Sequence, residues 1–443
     1  MTDGHGVLFG WDPLWVAAGL FIASYAAIMS EKLNRAVIAL LGAGLMILTG
    51  VINQTSAIRG IDFNTLGLLA GMMIIVAVMR KSGVFQYVAI WSAKKVKASP
   101  WGVLLMLSIV TAVFSALLDN VTTVLLIVPV TLLITEELKV SPYPYLFSEI
   151  FAANIGGTAT LIGDPPNIMI GSAAGLSFNA FLVNLAPLAL VAFAVTFAII
   201  YLIWGRKLRA ADADRARLMA FDEGEAITDA PLLKRSLLVL GLVMVGFTVG
   251  HHFHLGPATI AMFGAALLLM LENVGRDAET QTHSVHTAFG EVEWITLFFF
   301  VGLFIIVHGV EATGLIDRSA AAMLKLTGGD LTVTALVVLW MSAIFSAMVD
   351  NIPFVATMIP LIKSMAPTFG GAAHLMPLWW SLALGACLGG NGSLIGASAN
   401  LIVAGFAERA GSPIRFMIFL VLAFPLMLVS IALSSVYIYL RYL

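Results

Sequence analysis

The chain has 443 residues, of which 60% are hydrophobic and 11% charged, with a formal net charge of −2 and one cysteine, Cys387. A mean hydropathy of +0.99 excludes an ordinary soluble domain, where about 25% of residues are charged, and implies a polytopic membrane protein. The lone cysteine excludes an intramolecular disulfide and a multi-cysteine metal centre. No basic tract is present to bind nucleic acid, and the sequence implies no cofactor.

Residues 1–12 carry no basic n-region, so the first apolar segment is expected to remain as a span rather than be cleaved. Spans are predicted near 13–30, 35–52, 63–80, 146–171 and 181–204. A polar segment, 205–235, follows and reads as a cytoplasmic linker. Further spans are expected near 236–254, 256–272, 294–310, 377–405 and 413–440. Two apolar stretches, 101–135 and 331–366, are too long for one ordinary span and carry Asp-Asn at their middles. Each is predicted to be a re-entrant helix-loop-helix hairpin, tolerable at membrane depth only where protein or a cavity surrounds the loop. Segments 82–98 and 311–327 look amphipathic, and Lys94, Lys95 and Lys97 are expected to face headgroups.

The chain repeats itself. Phe114-Ser115-Ala116-Leu117-Leu118-Asp119-Asn120 nearly copies Phe345-Ser346-Ala347-Met348-Val349-Asp350-Asn351 at an offset of 231, as do Gly71 and Gly302, and Gly83 and Gly314. After a two-residue slip, Leu161-Ile162-Gly163 matches Leu394-Ile395-Gly396, and Asn167 matches Asn400. Each half therefore holds five spans and one hairpin, and an odd span count turns the second half over. The expected fold is all-α: a first transmembrane repeat over 1–204, the linker, and a second, inverted repeat over 236–443. With the linker in the cytoplasm and both termini outside, 18 of the 23 Lys and Arg fall inside, as the positive-inside rule requires. The expected location is a bacterial inner membrane.

A carboxylate within a bilayer is a functional-site hypothesis by default. Asp119 and Asp350 occupy repeat-related hairpin tips, and Asp164 lies in Gly163-Asp164-Pro165-Pro166-Asn167, where two prolines must interrupt the helix. The counterpart stretch, Gly389 to Asn400, has Ala397 in place of Asp164, so the halves are chemically unequal. The three aspartates are the expected ion-coupling residues. Capping of the following half-helix is the alternative reading of each. No basic residue lies in either hairpin's apolar core, so the carboxylates are expected to hold a proton or a bound cation. Asn120, Asn154, Gly157, Thr158, Asn167, Asn351, Gly390, Asn391, Ser393 and Asn400 are the expected substrate-binding positions, because broken-helix ends and carboxamides offer both donors and acceptors. Glu149 is expected near the cytoplasmic mouth and solvated. Cys387 reads as a packing residue. His251, His252 and His254 lack an acidic partner in sequence.

These hairpins and the Gly163-Asp164-Pro165-Pro166-Asn167 stretch resemble the ion transporter superfamily, over almost the whole chain. The resemblance is to the branch holding arsenite efflux pumps of the ArsB type, sodium/proton antiporters of the NhaD type and the melanosomal P protein. The superfamily's dicarboxylate carriers have Ser-Asn-Thr at the hairpin tips. Asp119-Asn120-Val121 and Asp350-Asn351-Ile352 depart from that pattern and argue against a dicarboxylate anion, since like charges would meet. The resemblance implies a secondary transporter that exports arsenite or antimonite in exchange for protons. The alternative within the class is Na⁺/H⁺ antiport. By the same analogy a soluble arsenite-stimulated ATPase is a possible partner, beside the lipid bilayer itself. No His-Glu-x-x-His or Gly-x-Ser-x-Gly stretch points to an enzyme.

Overall fold

The computed structural model describes residue 7, residues 10–30 and residues 32–443, and among these the regular secondary structure is all helix, with no strand. The first half runs α1 (Pro13–Met29), α2 (Arg35–Leu48), a short α3 (Gln54–Gly60), α4 (Phe63–Arg80), α5 (Val84–Lys95), α6 (Pro100–Leu117), α7 (Asn120–Glu137), α8 (Tyr143–Thr158), α9 (Pro165–Ala174) and α10 (Phe178–Ile200). After α11 (Asp212–Met219) in the polar segment, the second half runs α12 (Ala230–Val249), α13 (Pro257–Asn273), α14 (Ala278–Gly290), α15 (Trp294–Ala312), α16 (Leu315–Leu326), α17 (Leu331–Met348), α18 (Asn351–Ser364), α19 (Met376–Gly389), α20 (Ser398–Arg409) and α21 (Phe416–Tyr442). From α4 and α15 onward the two halves repeat one order: span, short amphipathic helix, hairpin, broken helix, long span. Among the described residues nine helical segments are long and apolar enough to cross a membrane, with α1, α2 and α13 shorter.

Each predicted hairpin is a pair of helices broken at its Asp. Asp119 is fully extended between α6 and α7, and Asp350 separates α17 from α18. Both prolines ten residues on, Pro129 and Pro360, lie inside the second arms. Each hairpin is pinned to its own broken helix by matching hydroxyls. Ser115 Oγ donates to the Ala153 carbonyl and Ser346 Oγ to the Ala386 carbonyl, both at 2.6 Å. Thr160 Oγ1 donates to Ala116 O at 2.6 Å, and Ser393 Oγ to Ala347 O at 2.5 Å. The bonds to Ala116 O and Ala347 O satisfy carbonyls at the ends of the hairpins' first arms, which the breaks would otherwise leave unpaired in an apolar surround.

The halves interlock by exchange. Helix α4 packs on α13 and α2 on α15, while α7 packs on α20 and α18 on α9. Each hairpin's second arm thus lies against the other half's broken helix, which brings the polar tips of both halves to one place.

The amphipathic helices appear at α5 and α16, and the first corrects an expectation. Lys94 does not face headgroups: its Nζ donates to the Phe221 carbonyl at 2.8 Å and pairs with Glu223. Thr228 N donates to Ser82 O at 3.1 Å. The polar segment is therefore clamped onto α5. Gly83 permits it, with φ of +78° and a Cβ position that would lie 1.7 Å from the Ala226 carbonyl oxygen.

Candidate functional site

The break between α8 and α9 has a mechanical basis in its residues. Pro165 starts α9 without needing an N–H partner, and the turn before it folds back so that Gly157 and Gly163 touch. A Cβ on Gly157 would stand 2.5 Å from Gly163 O. Asn167 then reaches back, its Nδ2 donating to Thr160 O at 2.8 Å and Thr158 O at 3.1 Å. Asn400 does the same in the second half, donating to Gly390 O at 2.7 Å and Ser393 O at 2.8 Å. The two asparagines brace their breaks by satisfying carbonyls at and just beyond the ends of α8 and α19.

Their oxygens face the centre. Asn154 Nδ2 donates to Asn391 Oδ1 and to Asn400 Oδ1, each at 3.0 Å, across the boundary between the halves. Asn120 Nδ2 donates to Asn154 Oδ1 at 3.3 Å, and Asn351 Nδ2 to Asp164 Oδ1 at 3.4 Å. Cys387, at the repeat position matching Asn154, lies 3.5 Å from Asn167 Oδ1. The structure thereby joins Asn120, Asn154, Asp164, Asn167, Asn351, Asn391, Asn400 and Cys387 into one buried cluster, all at 3% exposure or less. Thr158 borders it but spends its hydroxyl proton on Asn154 O. Gly157 and Gly390 serve close backbone packing, and the Ser393 hydroxyl is committed to the hairpin. Among the described residues no Lys, Arg or His reaches the cluster.

The three aspartates separate. Asp119 Oδ1 accepts from Thr122 N at 2.7 Å, so it caps α7, and its charged neighbour is Glu293. Asp350 Oδ1 accepts from Ile352 N at 3.1 Å and caps α18. Its Oδ2 lies 2.6 Å from Arg35 Nη1 and 2.7 Å from Ser398 Oγ. The expectation that this carboxylate needs a proton or an external cation is corrected: the protein supplies an arginine from α2, held also over the Phe299 ring at 5.0 Å. Arg35 and Asp350 border a cavity of about 440 Å³ together with Glu293 and Ser398. Asp164 differs from both. It stands at the N-cap of α9 yet makes no capping bond, which removes the capping reading. Its Oδ2 has no hydrogen-bond partner, although the Asn120 carboxamide and the Cys387 thiol lie beside the group.

Residues 25–385 match the citrate transporter family, CitMHS. The chain belongs to the citrate transporter family. Among CitMHS-related proteins, the uncharacterized transporter Mb2703 of Mycobacterium bovis is 44% identical over 432 residues, covering 96% of this chain and 98% of that protein. The human P protein is 34% identical over 507 residues, covering 95% of this chain and 59% of the P protein. The crystal structure of the YdaH transporter from Alcanivorax borkumensis superposes with a TM-score of 0.60 at 14% identity, covering 97% of this chain and 98% of that one. That likeness is one of fold. The CitMHS membership and these relatives make the chain a multi-pass membrane transporter.

Sequence reasoning missed Arg35 and Ser398 and misplaced Glu149. An arginine opening an apolar span reads as an interface anchor, and nothing local ties it to a residue 315 positions away. Glu149, expected to be solvated, is 1% exposed because α6, α7 and α19 close over α8. His308 meets Ser56 Oγ at 3.0 Å and lies 3.6 Å from Glu311, away from the cluster. Among the described residues no group of His, Cys, Asp and Glu could hold a metal ion.

Proposed function

We propose that this transporter is a secondary active antiporter of a bacterial inner membrane, with both termini periplasmic, that exchanges protons for a small monovalent cation at Asp164. One observation carries the reading: a buried carboxylate with an unpartnered oxygen, ringed by carboxamides, with no basic side chain in the ring. Carboxylate and carbonyl oxygens at a broken helix suit Na⁺ and protons in competition. A citrate trianion would instead bring further negative charge to Asp164 with no countercharge, at a large desolvation cost. The Arg35–Asp350 pair favours a single loading site over sites shared equally between the halves, because it leaves Asp164 as the carboxylate free to load.

Export of arsenite or antimonite for protons is the second reading. Cys387 favours it: a thiol within the cluster is a soft contact for a trivalent metalloid, and the carboxamides suit an uncharged triol. A soluble ATPase partner would belong to this reading alone. One proton entering down 100 mV supplies about 2.3 kcal/mol, enough for about a fiftyfold gradient of an uncharged metalloid, whereas one-for-one exchange with a monovalent cation moves no net charge and is driven by the pH difference alone.

Everted vesicles carrying a pH-sensitive dye separate the readings. Proton movement on adding Na⁺ or Li⁺, lost in Asp164→Asn, supports cation exchange. Proton movement on adding arsenite alone transfers support to the metalloid reading, and citrate-dependent movement refutes both.

A further inference from the structure

Glu149 is buried in α8 and none of the contacts above uses it. One oxygen meets the Thr131 hydroxyl, and Oε2 has no partner. The elements packed against α8 bring few groups to it. Helices α6 and α10 carry no titratable residue. Helix α7 brings Glu136 and Glu137 at its C-terminal end, α19 brings Cys387, and α20 brings Glu408 and Arg409 at its far end. None makes an ion pair with Glu149. On α8 itself, the Tyr145 hydroxyl donates to Pro100 O at 2.9 Å, while the Tyr143 hydroxyl is buried without a partner.

Glu149 is not isolated among polar groups. Asn120, Thr123, Thr131 and Thr135 fall on one face of α7 at helical spacing, and all are buried. The stripe runs about 22 Å at 1.5 Å per residue. It joins the central cluster at Asn120 to the acidic C-terminal end of α7. Thr123 Oγ1 is a further buried polar atom without a partner. A purely architectural need would recur in the second half, since the halves share their packing. It does not: the matching residues are Phe354 for Thr123, Ile362 for Thr131 and Leu382 for Glu149.

We propose that Glu149 is a second proton-binding site, and that the α7–α8 seam is the route by which the exchanged proton reaches the central cluster. Glu149 takes a proton from water at the α7 C-terminal end and gives it to water on the cluster side. The O–H bonds made and broken lie on Glu149 and water alone, so no other reactant is needed. The assignment rests on the antiport reading above: the cation and the proton compete at Asp164, and Glu149 relays the proton to and from it.

The test compares the purified full-length protein with Glu149→Gln and Glu149→Asp in proteoliposomes. Glu149→Gln is expected to lose proton-driven Na⁺ efflux at least tenfold, with Na⁺/Na⁺ counterflow kept within twofold, and Glu149→Asp to recover part of the loss. Equal loss of both fluxes, or unchanged proton-driven efflux, overturns the proposal. Infrared difference spectra between pH 5 and pH 9, taken without Na⁺, give a second readout. A protonated-carboxyl band present in the wild type and missing in Glu149→Gln supports the proposal, and identical spectra overturn it. If the wild type moves no protons with Na⁺, the antiport reading fails while the infrared result still decides Glu149.

Discussion

Replacing Arg35 by Gln is expected to loosen the second hairpin. Arg35 Nη1 lies 2.6 Å from Asp350 Oδ2 and 2.6 Å from Ser398 Oγ, and the two charged side chains are only 27% and 15% exposed. Breaking a fully buried pair costs about 3–5 kcal/mol, and an exposed pair about 0–1 kcal/mol. Partial burial places this pair between them, at about 2 kcal/mol, or about thirtyfold in an equilibrium constant. Most of that cost is Asp350 left without its countercharge, so adding Asp350→Asn should recover about half of it. Arg35→Lys should recover less than the wild-type stability, because an ammonium cannot replace the planar guanidinium over Phe299. The assay is a double-mutant cycle on unfolding of the detergent-solubilised protein, read beside hydrogen exchange at the amides of residues 346–354. Purely additive losses, or a single mutant as stable as the wild type, would refute the argument.

Asp164→Asn is expected to reduce exchange more than a hundredfold while the protein still inserts, whereas Asp119→Asn, whose amide can still cap α7, should lose less than tenfold; vesicle fluxes with the reverse ranking would show the wrong aspartate was chosen. Gly157→Ala should cost about 2 kcal/mol or more by overpacking, because its Cβ would stand 2.5 Å from Gly163 O, and a thermal midpoint equal to wild type would contradict it. The Lys94 ammonium beside Glu223 holds that carboxyl below its ordinary value of 4.5. The clamp of the polar segment should therefore be intact above pH 4.5 and released as pH falls through the lowered value. Hydrogen exchange over 220–228 should report this transition, and Lys94→Gln should move it up toward the ordinary value; a transition unmoved by the substitution would refute the pairing.

Much of the architecture was legible in the sequence, because bilayer thickness and backbone satisfaction leave few options for an apolar chain. The duplicated Asp-Asn turns and the Asp164-Pro165-Pro166 interruption are local signals, and helices break there for local reasons. The linked carboxamides were also expected together, since repeat-related breaks meet at a shared centre. What the sequence could not decide was how charge is distributed over that centre. Asp119, Asp164 and Asp350 look alike in one dimension, each an acid preceding a half-helix. Only the crossing of the halves gives Asp350 an arginine from α2, leaves Asp119 as a cap beside Glu293, and leaves Asp164 among amides with an oxygen to spare. Burial of Glu149 likewise depends on which helices close over α8. A residue's own neighbours in sequence fix whether a helix can continue. The electrostatic state of its side chain is fixed by atoms within a few ångströms, and in this fold those atoms arrive from segments hundreds of residues away.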